Sequence, residues 1–155
     1  MYRLLTLITI ISLFVSCKKL DTFQQIHSLK QAQWQYDNPQ SFTFNIEDTT
    51  AEYHHYIILR TDDNFDYSNV WVKVLIQSPS GEEFTDSFLH EFILFDKNGY
   101  SYGEQQGTFW NYKMPVIHKR LQFHTPGEYT IQVKQFMRDD ELKSIFNVGW
   151  CIEKK

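Results

Sequence analysis

Cysteine is scarce in this chain: there are two, Cys17 and Cys151. A disulfide-stapled fold is excluded, and so is a zinc site built on paired cysteines. Only two alanines occur, Ala32 and Ala51, so the strongest helix former is nearly missing. Positive charge is in deficit, with 15 Lys and Arg against 19 Asp and Glu and a formal net charge of −4. Phosphate backbones select basic surfaces, so nucleic acid is not an expected partner. Long hydrophobic runs are missing too. The longest, Leu4 to Val15, is 12 residues, short of the roughly 20 that a membrane-spanning helix needs.

What is present is aromatic and polar. Four Trp, nine Tyr and thirteen Phe make up 17% of the chain, against 22% charged residues. That balance predicts an ordered core rather than a disordered chain. At 155 residues there is room for one domain.

Residues 1–16, MYRLLTLITIISLFVS, read as a signal peptide. Arg3 and the amino terminus supply the positive start, and the 12-residue apolar run is of signal-peptide length. The run ends in Leu13-Phe14-Val15-Ser16-Cys17, which resembles a bacterial lipobox, with Phe14 departing from the usual Leu. Cys17 is thus the expected lipid-attachment residue and the first residue of the mature chain. An acylated cysteine anchors a domain to a membrane without a spanning helix. Removing Arg3 with the leader takes the charge from −4 to −5. Lys18 and Lys19 follow, with no acidic cluster behind them, which favours a periplasm-facing position over export to the cell surface. Cys151 is then left without a disulfide partner.

The body of the chain alternates as strands do. Phe42, Phe44 and Ile46 share one face, as do Val70, Val72, Val74 and Ile76. Strands are expected at Tyr53–Thr61, Val116–His124, Tyr129–Val133 and near Val148–Ile152. In the second of these, Ile117, Leu121 and Phe123 form the apolar face. Ser78-Pro79-Ser80-Gly81, Asp96-Lys97-Asn98-Gly99 and Pro126-Gly127 read as turns between them. The pattern predicts an all-β protein, an antiparallel β-sandwich of Ig-like or jelly-roll-like kind. Tyr129, just past Pro126-Gly127, suits a corner tyrosine. The expected organisation is a signal peptide over 1–16, a lipidated N-terminus and flexible tether over 17–40, and the sandwich over 41–155. A short structured piece is expected around Trp34 and Tyr36, and a charged loop over Asp139–Ser144.

Few residues suggest chemistry. Gly99-Tyr100-Ser101-Tyr102-Gly103 matches G-x-S-x-G, but a nucleophile elbow needs a strand before it and a helix after it. His54 and His55 are adjacent and so point to opposite faces of a strand. His118 and His124 are too far apart along a strand to share a metal. Asp62, Asn64 and Asp66 alternate as calcium ligands do, yet Tyr67 and Lys73 occupy the loop positions that call for Gly and Glu. No catalytic residue, metal or cofactor is expected. Tyr100, Tyr102, Trp110 and Tyr112 lie in a glycine-containing aromatic stretch and form the candidate interaction surface.

Several strings together resemble a family. They are IEDTTAEYH, TDDNFDYSNVWVKVLIQSPSG, TPGEYTIQVKQFMR and NVGWCIEKK. Tyr67-Ser68-Asn69 ahead of an apolar strand and Gln135-Phe136-Met137-Arg138 are the most specific steps. In this order, and with the lipobox, the chain resembles the gliding-motility lipoprotein GldH family of Bacteroidetes, from Cys17 to its end. The resemblance implies an envelope lipoprotein needed for gliding, a motility tied to a protein secretion apparatus. It implies no catalytic residue and no established binding site, so only Cys17 carries over. The expected function is a non-catalytic structural or adaptor component of the gliding machinery. Its expected partners are the membrane and other gliding or secretion proteins of the envelope. The alternative is a carbohydrate-binding sandwich lipoprotein.

Overall fold

A computed structural model describes residues 22–81, 86–118 and 121–155. The leader and Cys17 lie outside the described residues. Within them are eleven strands and one three-residue 3-10 turn, Lys30–Ala32. The strands are β1 (Thr22–Ser28), β2 (Gln33–Gln35), β3 (Gln40–Ile46), β4 (Tyr53–Asp62), β5 (Asn69–Gln77) and β6 (Asp86–Ile93). They continue as β7 (Glu104–Gln106), β8 (Phe109–Val116), β9 (Gly127–Gln135), β10 (Glu141–Lys143) and β11 (Ile145–Lys154).

Two antiparallel sheets form a sandwich. One has the order β1-β11-β4-β8-β7 and the other β3-β9-β5-β6, while β10 pairs with β2 beside them. Period-two alternation puts one apolar face of each sheet into the core. Phe42, Val72, Val74, Ile131 and Val133 are buried from one sheet, and Ile57, Leu59, Val148 and Trp150 from the other. The predicted turn at 96–99 forms, with the Gly99 amide donating to Asp96 O at 3.0 Å. Gly99 sits at φ +83°, a conformation that costs a side-chain-bearing residue energy. The corner tyrosine also forms: the Tyr129 hydroxyl donates to Thr125 O at 2.9 Å.

Three expectations are corrected. Residues 22–40 are not tether. β1 pairs with β11 along all seven of its residues, Thr22 to Ser28. Trp34 in β2 is fully buried. The polar composition of this stretch suits an edge strand, which needs only one apolar face and is protected from sticking by the polarity of the rest. The Asp139–Ser144 loop contains β10, whose Leu142 pairs with Trp34 and is buried with it.

The expected strand at Val116–His124 ends at Val116. Beyond it, Leu121 and Phe123 close the end of the sandwich as a plug. Phe123 packs edge-on against Phe44 at 5.6 Å and Tyr53 at 5.4 Å, and lies 4.7 Å from Tyr129. Leu121 and Phe123 are therefore buried, whereas Ile117 is 83% exposed. The apolar spacing that mimics a strand is that of a plug with two inward side chains.

Candidate functional site

The sandwich has two unlike ends. The first gathers the start of β1, the β3–β4 connection, the β8–β9 plug and the C-terminus. Register shows this: Thr22 pairs with Glu153, Glu153 with His54, and His55 with Val116. The second gathers the end of β4, the start of β5, the crossing from β6 to β7, and β2 with β10. The ten residues of β4 run from one end to the other, roughly 30 Å at strand rise.

The four aromatic candidates separate at the second end. Tyr100 and Tyr102 are 74% and 67% exposed. They sit where the chain leaves sheet β3-β9-β5-β6 for the other sheet, held by a bridge between Phe95 and Ser101 and by Tyr102 N donating to Leu94 O at 2.8 Å. Trp110 is partly buried, with its Nε1 donating to Asp63 Oδ1 at 2.7 Å. Tyr112 is buried and cannot be a surface contact. It pairs with inward-facing Leu59 on β4, and strand alternation carries its ring into the core. Its hydroxyl lies 2.9 Å from Ser101 Oγ, so the buried tyrosine supports the exposed pair from beneath.

That contact also accounts for the G-x-S-x-G string. Ser101 Oγ accepts from the Gly103 amide at 3.0 Å and contacts Tyr112. A bend and the short strand β7 follow it, not a helix. His118 stacks on Phe88 at 3.9 Å, far along β6 from this crossing. The calcium-like string is a turn closed by its own side chains. Asp62 Oδ1 accepts from the Asn64 amide at 2.9 Å, and Asp63 is engaged by Trp110. Among the described residues, no group of three or more His, Cys, Asp or Glu side chains is placed to hold a metal.

The first end holds features that the sequence did not single out. A cleft of about 540 Å³ is lined by Tyr53, His55, Val116, Leu121, Phe123 and His124 among others. A second, of about 460 Å³, lies between Thr22, Phe23, Phe44, Asp48 and Lys154. His55 is only 3% exposed, and its Nε2 donates to Leu121 O at 3.1 Å, tying β4 to the plug. Burial pushes its imidazole down to about 4, with the carbonyl opposing the shift and His54 adding to it. A histidine beside a histidine in a strand is the signal for one inward and one outward ring. The sequence does not say that the inward one is locked to a loop 66 residues away.

Among the described residues, three ion pairs lie around this end. Lys154 reaches Asp48 at 3.0 Å, and Lys155 reaches Glu52 at 2.9 Å. Hydrogen bonds from Thr50 and then Lys154 hold the Asp48 carboxyl well below its usual range. Lys113 bonds to Glu153 and lies 4.6 Å from the Tyr56 ring centre. Cys151 sits beside them on the outer face of β11, alternating with inward Trp150, yet it is fully covered. Burial raises its thiol, the opposite of what a nucleophile requires.

The profile of the GldH lipoprotein family matches residues 21–152 of this chain. The gliding motility lipoprotein GldH of Flavobacterium johnsoniae is 28% identical over 150 residues, covering 92% of this chain and 91% of its own. The GldH homolog of Christiangramia forsetii is 28% identical over 151 residues, covering 93% and 90%. Among solved structures, the infectious bursal disease virus VP2 subviral particle aligns with 90% of this chain and 33% of its own at TM-score 0.39 and 10% identity.

Proposed function

The chain belongs to the GldH lipoprotein family, and from that premise we propose that it is a lipid-anchored, non-catalytic adaptor of a gliding-motility machinery in the cell envelope. Cys17 carries the lipid in this reading, and the sandwich faces the periplasm. The partners are other motility or secretion proteins. The observation that carries the adaptor reading is the Tyr100–Tyr102 pair. Two large aromatic side chains stand in solvent on a crossing braced by Ser101 and Tyr112. Exposed aromatics on a rigid support lose little conformational freedom on contact and bury much area, as interface anchors do.

Crosslinking of the lipidated protein in its own membranes, followed by mass spectrometry, tests this. Motility or secretion proteins are expected to be enriched, and Tyr100→Ser with Tyr102→Ser is expected to reduce their capture at least several-fold. A protein that stays uncrosslinked as a free lipoprotein would sink the adaptor reading.

The same two ring faces also suit stacking on sugars. Saccharide binding on a glycan array, lost with the tyrosine pair, would favour the carbohydrate-binding alternative.

A further inference from the structure

Thr22 opens β1 at the end of the sandwich that holds the plug. Five peptide steps separate it from Cys17, a reach of at most roughly 17 Å when fully extended. The sandwich is longer than that, since β4 alone runs roughly 30 Å. A chain so short brings the Thr22 end, and not the Tyr100–Tyr102 end, down to the membrane.

The surface that would meet it has a definite character. Ile117, at 83% exposed, is the most exposed large apolar side chain among the described residues. It stands on the plug, flanked by exposed Pro115. At the same end of the sandwich, Glu52, which shares a cleft with Ile117, is paired with Lys155, and Asp48 is paired with Lys154. Charges already paired lose less on leaving bulk water than isolated ones. An apolar side chain over paired charges suits the headgroup boundary, where apolar groups gain by burial and ions stay partly solvated.

We propose that the end of the sandwich formed by Ile117, Pro115 and the β3–β4 connection rests on the bilayer surface that holds the Cys17 lipid. Ile117 then enters the headgroup layer, and Tyr100 and Tyr102 point away from the membrane. This rests on Cys17 acylation, the anchor of the reading above. It adds an orientation: the domain is seated on the bilayer rather than swinging on a tether.

The test uses the full lipidated protein in vesicles of phosphatidylethanolamine and phosphatidylglycerol containing headgroup-spin-labelled lipid. Three single substitutions, Ile117→Cys, Lys97→Cys and Ile26→Cys, carry an environment-sensitive fluorophore. All three positions are exposed, and native Cys151 is buried and stays in place. Quenching at position 117 is expected to exceed that at 97, on the far turn, at least threefold, and to exceed that at 26, on the β1 edge. Equal quenching at 117 and 97 would mean a freely tumbling domain. Strongest quenching at 26 would mean a domain lying on its edge. Either result overturns the proposal while co-flotation with vesicles leaves the lipid anchor standing. Protein that does not float with vesicles overturns the anchor and the orientation together.

Discussion

His55 ties β4 to the plug while being nearly fully buried. It is neutral in the folded state, with a pKa of about 4 against an ordinary 6.5. The unfolded chain takes up this proton near pH 6.5 and the folded chain only near 4. Between those values the unfolded state holds more protons, so stability falls as pH falls. The full difference is on the order of 3 kcal/mol, present above about pH 6.5 and gone at about pH 4. Denaturant melts across this window are expected to show the decline, and His55→Phe is expected to reduce its slope, leaving the smaller part from His90, which burial also shifts down. The carboxylates of Asp48 and Glu52, held down by Thr50 and Lys155 respectively, add a further decline that begins as pH falls through the ordinary carboxylate range. An unchanged slope in the Phe variant would show that another group is responsible. Phe123, whose ring lies tilted against the His55 ring at 5.3 Å, is expected to cost about 3–5 kcal/mol when changed to Ala, read as a lowered denaturation midpoint.

At the scale of elements, β1 decides where the domain begins. It lies against β11 at the sheet edge, and Gly149 of β11 leaves no room for a side chain beside it. A Cβ there would stand 2.8 Å from Gln25 O and 2.9 Å from Ile26 Cγ1. Gly149→Ala is therefore expected to loosen β1 and cost about 1–3 kcal/mol, with hydrogen exchange rising first in residues 22–28. A chain starting at residue 41 would lose β1 and Trp34 together and is expected not to fold, seen as absent near-ultraviolet dichroism. Strands β3 and β5 were legible in the sequence because their apolar residues recur at every second position, and Phe42 to Ile46 and Val70 to Ile76 fall where expected. β1 was not, since Thr22-Phe23-Gln24-Gln25-Ile26 offers few apolar residues and its pairing partner lies over 100 residues away. The plug was misread for the opposite reason. Leu121 and Phe123 have strand spacing, but their burial comes from closing over Phe44 and Tyr129, a long-range fit that local periodicity cannot encode.

The whole molecule is polar in the mechanical sense, and the sequence showed the two halves of that polarity without their relation. The lipobox names Cys17 as the proposed anchor, and the aromatic turn names Tyr100 and Tyr102 as the proposed contact. That Thr22, five residues after Cys17 in sequence, lies at the opposite end of the sandwich from the tyrosine pair follows only from register, through the pairing of Thr22 with Glu153 and of Asp62 with Phe109. Opposite ends allow anchoring and contact to be lost separately. Tyr100→Ser with Tyr102→Ser removes side chains that are 74% and 67% exposed, so the melting midpoint is expected to hold within about 0.5 kcal/mol and membrane fractionation to stay complete. Crosslinks to machinery partners are expected to fall. Cys17→Ala is expected to do the reverse: the sandwich keeps its fold and its tyrosines but leaves the membrane fraction and takes up no labelled palmitate. Contact then weakens only through lost local concentration, and restoring attachment through an unrelated lipid signal is expected to recover it. If the tyrosine pair releases the protein from membranes, or if the unlipidated chain stays bound there, the two ends are not independent and the adaptor reading fails at the scale of the whole molecule.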